Sequence, residues 1–187
     1  MKESIEQAVK VLKEGGVILY PTDTVWGLGC LATDEAAVSR IFSIKRRPEA
    51  KSLVLLAPDL DMVARFIRTI PSIEIDLVEV NDAPMTIVYP GAMGLPSSVV
   101  AEDGSVGIRI PLGGFCLELA RRLRVPLVST SANISGEPAA VRLQDVPQEI
   151  VDAVDWCAPA RFGRDATGRP SQIIKLGLDG EVEIIRP

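Results

Sequence analysis

An α/β fold, a single-domain twisted mixed sheet flanked by helices over residues 1–187, is predicted by three features of the sequence. Short apolar runs of strand length alternate with stretches whose apolar residues recur at helical spacing. The 187 residues are 47% apolar and 24% charged, a globular balance that buries one sizeable core. No internal repeat, low-complexity tract or linker divides the chain.

Ile5, Ala8, Val9 and Leu12 fall at i, i+3, i+4 and i+7 and predict an amphipathic helix. Gly15-Gly16 ends it, because glycine takes a left-handed cap without a Cβ clash. Val17-Ile18-Leu19-Tyr20 follows as a buried strand. Pro21-Thr22-Asp23-Thr24-Val25-Trp26-Gly27-Leu28-Gly29 then breaks the periodicity and reads as a loop that lets backbone approach a ligand, with Trp26 packed in the core. Thr33 or Asp34 is placed to cap a helix whose apolar positions are Ala37, Val38 and Ile41, and Pro48 ends it.

Lys45, Arg47 and Lys51 are expected to project from the loop beyond that helix, although cations at a helix C-terminus also suit its dipole. Residues 53–57 read as a buried strand, and Leu60, Val63, Ala64 and Ile67 as the inner face of a helix. A further helix is expected over 71–80, a strand over 85–89 and a Gly- and Pro-rich loop over 90–96. Residues 105–111 form a strand carrying Arg109 in an otherwise apolar setting. A guanidinium there needs an anion, which is either one of the chain's 25 acids or a ligand carboxylate held bidentately. Cys116, Leu119, Ala120 and Leu123 repeat the helical spacing and make Cys116 a core thiol rather than a nucleophile. The remaining elements are a buried strand at 125–128, a helix over 146–154, a loop at 165–170, and strands 172–176 and 182–185 turned at Asp179-Gly180.

The composition excludes several classes of function. A net charge of -5 gives no global attraction to nucleic acid or an anionic membrane, so any anion site is local. The absence of histidine removes Ser-His-Asp and Cys-His catalysis and mixed His zinc sites. Cys30, Cys116 and Cys157 are odd in number and far apart, which fits a reducing cytoplasm better than a disulfide framework. The amphipathic, charged N-terminus is no signal peptide, and no apolar stretch approaches the ~20 residues that cross a bilayer. A cytoplasmic protein with no membrane partner is expected.

Two polar clusters carry the candidate chemistry. Ser129-Thr130-Ser131-Ala132-Asn133-Ile134-Ser135-Gly136 leaves the end of a buried strand, where open α/β sheets place their ligands. Its hydroxyls and carboxamide offer hydrogen bonds but no charge. Lys45-Arg46-Arg47-Pro48 with Lys51 supplies the missing charge. Lys45, Arg47 and Lys51, with Ser131 and Asn133 opposite, form a site able to hold a triphosphate. Transfer at phosphorus needs mainly positioning and charge neutralisation, which suits a chain without histidine. The usual Gly-rich nucleotide fingerprints are absent.

Those clusters, together with Tyr20 to Gly29 and Gly107-Ile108-Arg109-Ile110-Pro111, resemble in order and spacing the YrdC/TsaC family of threonylcarbamoyl-adenylate synthases, in its short single-domain form. The resemblance spans nearly the whole chain. It implies a YrdC-like α/β fold around a large concave cavity. It also implies a nucleotidyltransferase that makes threonylcarbamoyl-AMP and pyrophosphate from L-threonine, bicarbonate and ATP, for t6A37 modification of tRNA. By that resemblance ATP is bound by Lys45, Arg47, Lys51, Ser105, Ser131, Asn133 and Arg186, with Lys45 and Arg47 catalytic through charge stabilisation. L-Threonine is held by Thr22, Thr24, Arg109, Ser129 and Ser171, with Arg109 on its carboxylate. Mg2+ travels with ATP, and no protein side chain is expected to bind a metal. Handover to a tRNA threonylcarbamoyl transferase complex and weak tRNA binding are the implied partnerships. The chain departs from the family pattern at Ser52, Leu56, Ala139 and Asp82-Ala83-Pro84. The alternative function is a non-catalytic RNA- or nucleotide-binding protein of the same fold, and a third reading is an unrelated nucleotidyl or carbamoyl transferase. The acidic balance argues against RNA as the main ligand.

Overall fold

The computed structural model describes residues 1–47, 53–71 and 82–187. Helix α1 (Lys2–Lys13) buries Ile5, Ala8 and Leu12, and Gly15 at φ 80° turns the chain into strand β1 (Ile18–Pro21). Strand β2 (Trp26–Gly29) then returns antiparallel, with Leu19 opposite Leu28. The expected loop over 21–29 is therefore a hairpin whose connection is only 22–25. Its glycines mislead because they serve close packing: a Cβ on Gly29 would sit 2.7 Å from the Tyr20 ring and 2.9 Å from the Val128 carbonyl.

Asp34 is the cap of helix α2 (Glu35–Ile44), its carboxylate accepting from the Ala37 N–H at 3.0 Å. The helix buries Ala37, Val38 and Ile41 and stops at Ile44, ahead of Pro48. Pro48 and Lys51 lie outside the described residues, as does all but Pro71 of the helix expected over 71–80. Strand β3 (Val54–Leu56) precedes helix α3 (Leu60–Phe66), which Asp59 caps at the Met62 N–H. Ile67 falls just past the helix and bridges Ala92 instead.

Strands β4 (Met85–Tyr89) and β5 (Val106–Arg109) are followed by helix α4 (Gly114–Ala120), with Cys116 buried in the core. Strand β6 (Leu127–Ser131) runs beyond the apolar run at 125–128 and takes in Ser129, Thr130 and Ser131. Pairing explains the extension, because Thr130 and Ser131 lie opposite Leu28 and Gly27 of β2. Helix α5 (Gln148–Ala153) and strand β7 (Trp156–Cys157) lead to β8 (Gln172–Leu176) and β9 (Val182–Arg186), turned at Gly180 with φ 87°.

The strands form one mixed sheet in the order β7-β1-β2-β6-β3-β5-β4-β8-β9. β3 runs parallel to β5 and antiparallel to β6, so the starts of β3 and β5 lie level with the hydroxyl-bearing half of β6. No helix among the described residues is long and apolar enough to cross a membrane.

Candidate active site

A cavity of about 450 Å³ is walled by residues of β2, β3, β4, β5, β6, β8 and β9. Its first wall is the hairpin connection. The Thr22 hydroxyl donates to the Val25 carbonyl at 2.7 Å and accepts from the N–H groups of Thr24 and Val25. Its only proton is thereby committed, so in the 2.8 Å contact between the two threonines Thr24 is the donor. Thr24 has only lone pairs left to offer the cavity.

Arg109, the last residue of β5, resolves the two partners open to it. Its guanidinium donates to the Asp23 carboxylate, with side chains 4% and 13% exposed, and Asp23's other oxygen accepts from the Leu112 N–H at 3.2 Å. Arg109 nevertheless remains on the cavity wall.

Ser129, Thr130 and Ser131 of β6 line the cavity next to the hairpin and beside Arg47, whose Nη1 is 3.5 Å from Thr130 Oγ1. Burial lowers the pKa of the Arg47 guanidinium. Arg46 takes φ 50°, a left-handed conformation uncommon for a residue with a side chain. It sits between a buried Lys45 and an Arg47 that faces the cavity.

Lys45 does not project from a loop as expected. It caps the end of α2, is 2% exposed, and does not line the cavity. Its ammonium donates to the carbonyls of Ser131 and Asn133, the latter at 2.8 Å, and stands 3.5 Å from Asn133 Oδ1. Three acceptors meet three N–H groups, which is why the side chain turns inward. Burial first, and then the charge of Arg47, push its pKa down to about 8. Asn133 also lies beneath the wall, its amide donating to the carbonyls of Ile134 and Glu137.

Ser105 lines the cavity and donates its hydroxyl to Asp103 at 2.5 Å, while Asp103's other oxygen accepts from Lys175 at 2.7 Å. Lys175 and Ser105 together hold the Asp103 carboxyl well below the usual range. Ser105, like Thr24, therefore offers the cavity an acceptor. The Ser171 hydroxyl lies 2.8 Å from that of Thr86, and the Ser171 carbonyl accepts from Arg186 Nε at 3.0 Å and Nη2 at 2.7 Å. Arg186 is thus tethered at the rim although every residue of β9 is exposed.

Of the residues singled out from sequence, Thr22, Thr24, Arg47, Ser105, Arg109, Ser129, Ser131, Ser171 and Arg186 share this cavity, and Lys45 and Asn133 support it from behind. Sequence reasoning missed Asp23, Thr86 and the Asp103–Lys175 pair. Asp23 had a signal, as the only acid in its stretch. Asp103 and Lys175 had none, since 72 positions separate them. Cys116 is buried, and burial pushes its thiol up to about 11, so it is no nucleophile. No group of three or more metal-ligating acids or thiols comes together among the described residues.

The Sua5/YciO/YrdC family model, described as telomere recombination, matches residues 10–187. The chain belongs to this family. A threonylcarbamoyl-AMP synthase of Stenotrophomonas maltophilia is 36% identical over 97% of this chain and 98% of its own length. The crystal structure of P. abyssi Sua5 complexed with L-threonine superposes with a TM-score of 0.85 at 29% identity, over 92% of this chain. This chain spans half the length of that protein, covering 50% of it. E. coli YciO superposes with a TM-score of 0.82 at 26% identity, covering all of this chain and 89% of the other. The single-domain mixed sheet described above is thus the fold of the Sua5/YciO/YrdC family.

Proposed function

We propose that this chain is an L-threonylcarbamoyladenylate synthase, a nucleotidyltransferase that converts L-threonine, bicarbonate and ATP to threonylcarbamoyl-AMP, pyrophosphate and water. The observation that carries this reading is the placement of two guanidinium groups, Arg47 and Arg109, on the wall of one cavity. One suits a polyphosphate and the other a carboxylate. Near full-length relatives named threonylcarbamoyl-AMP synthase support the same chemistry.

In the reaction the threonine amine attacks the carbon of bicarbonate, a C–N bond forms, and water leaves. An oxygen of the resulting carbamate attacks the α-phosphorus of ATP. The bond between the α-phosphorus and the bridging oxygen breaks, and pyrophosphate departs with its electron pair. Arg47, with Lys51, stabilises charge on the phosphates, and the Ser131 hydroxyl adds a hydrogen bond. Lys45 and Asn133 fix the backbone that carries Ser131. Ser105, a committed donor to Asp103, accepts from a hydroxyl or amino group of the nucleotide rather than donating to phosphate. Arg186 closes the nucleotide side of the cavity.

At the amino-acid end Arg109 forks onto the threonine carboxylate, and the Thr24 lone pairs accept from its amine, with Thr22 fixing the Thr24 hydroxyl. Ser129 and Ser171 supply the remaining polar contacts. Mg2+ enters with ATP. The product feeds t6A37 modification through a tRNA threonylcarbamoyl transferase in the cytoplasm, with tRNA itself at most a weak ligand. Incubation with labelled bicarbonate, ATP and L-threonine tests this reading. Label recovered in an acid-labile adenylate is the expected result. Tight ATP binding with no labelled adenylate would favour the non-catalytic nucleotide-binding alternative.

A further inference from the structure

We infer that Asp23 is a positioning residue for the amino-acid substrate: its carboxylate anchors the Nη1 end of the Arg109 guanidinium and ties the hairpin connection that carries Thr24 to the end of β5. This rests on the proposed synthase activity. Asp23 is held by two donors on two different segments, Arg109 through one oxygen and the Leu112 N–H through the other. A carboxylate held at both oxygens is restrained, and it restrains in turn the Nη1 end of the guanidinium bonded to it.

Only Arg109 Nη1 is committed to Asp23, and no other hydrogen bond occupies the guanidinium among the described residues. The remaining N–H groups of this planar fork are the ones that can grip a ligand carboxylate in bidentate fashion. Asp23 itself does not line the cavity, so it acts through Arg109 rather than on the substrate.

The hairpin is pinned on its other flank as well. The Asp23 carbonyl accepts from the Thr167 N–H at 3.0 Å, and the Thr24 carbonyl from the Gly168 N–H at 2.9 Å. With the ion pair on one side and these bonds on the other, the hairpin holds the Thr24 acceptor at a set distance from the Arg109 fork. Those two groups match the two ends of an α-amino acid. The Asp23 charge also compensates Arg109 within the protein, which suits a zwitterion better than a ligand carrying a second negative charge.

Steady-state pyrophosphate release by Asp23→Asn, with L-threonine and ATP varied separately and the melting temperature measured alongside, tests this role. The amide keeps the size of the side chain and removes its charge. The threonine KM should rise about tenfold or more, while kcat and the ATP KM stay within about threefold of wild type, the pattern of a lost ground-state contact. An unchanged threonine KM in folded Asp23→Asn would overturn the inference. So would a parallel loss in both KM values with a lowered melting temperature, the mark of a purely structural ion pair. If Asp23→Asn fails to fold, Asp23→Glu, which keeps the charge but displaces it, carries the same readout. A wild type that releases no threonine-dependent pyrophosphate would remove the synthase reading and this inference with it. An active wild type matched by Asp23→Asn removes the inference alone.

Discussion

Lys45 Nζ donates to the Asn133 carbonyl at 2.8 Å, and through that bond the cap of α2 holds the segment that follows β6. The same ammonium reaches the Ser131 carbonyl, and the Lys45 carbonyl in turn accepts from the Ser135 N–H at 3.0 Å. The lysine is therefore both a fold contact and a support of the β6 wall of the cavity. Lys45→Met should lower the melting temperature as well as most of the turnover. Each buried acceptor left without a donor costs ~1–3 kcal/mol. Thermal unfolding followed beside pyrophosphate release checks this, and normal stability in the variant would place the ammonium outside the clamp.

The same residue makes stability and activity respond to pH in opposite senses. In the folded protein its pKa is pushed down to about 8 from the ordinary 10.5. Between those values the unfolded chain binds more protons than the folded one, so the residue's contribution to stability rises with pH. Over that window the side chain loses one of its N–H groups and its charge, and turnover should fall. The difference in melting temperature between wild type and Lys45→Met should therefore grow between about pH 7 and about pH 10 while the wild-type rate declines. A difference that shrinks over that range would contradict the assignment.

Arg47 differs from Lys45 in facing the cavity. Arg47→Ala should leave the melting temperature close to wild type and cut turnover ~10² to 10³ fold, the usual effect of removing one preorganised electrostatic contact. Retained turnover in a folded variant would return Arg47 to a structural role.

For Arg109 two substitutions part the fold from the site. Arg109→Lys keeps a cation for Asp23 but loses the planar fork, so threonine affinity should fall with little change in stability. Arg109→Ala leaves the Asp23 carboxylate, among the described residues, only the Leu112 N–H, and breaking such a buried pair costs ~3–5 kcal/mol. Calorimetric threonine binding and thermal melts of both variants report the two effects separately. Equal threonine affinity in wild type and Arg109→Lys would remove the carboxylate contact.

Much of this was legible in the sequence where one physical rule dominates. The i, i+3, i+4, i+7 spacing fixed α1, and Asp34 capped α2 as its short side chain predicts. For α3 the same spacing found the helix but not its inner face: Ala64 is exposed, and Met62 and Phe66 are buried beside Val63. β2 was not legible, because Gly27 and Gly29 read as loop residues. Only the neighbouring Thr130 carbonyl, 3.2 Å from a Cβ built on Gly27, shows why a side chain is absent there. The site was legible as a set of residue types but not as a set of orientations. Nothing in Lys45-Arg46-Arg47 announces that the lysine turns under the sheet while the second arginine faces the cavity, since that depends on acceptors 86 and 88 positions away. The proton direction at Ser105 likewise depends on Lys175, which acts through Asp103 from β8, 72 positions further along the chain.

The most direct measurement is pyrophosphate release from Mg2+-ATP with L-threonine and bicarbonate supplied together, singly and not at all, and with other amino acids in place of threonine. The synthase chemistry predicts release only when both co-substrates are present, because the carbamate rather than the amine attacks the α-phosphorus. Release at the same rate without bicarbonate, or equally with any amino acid, would contradict it.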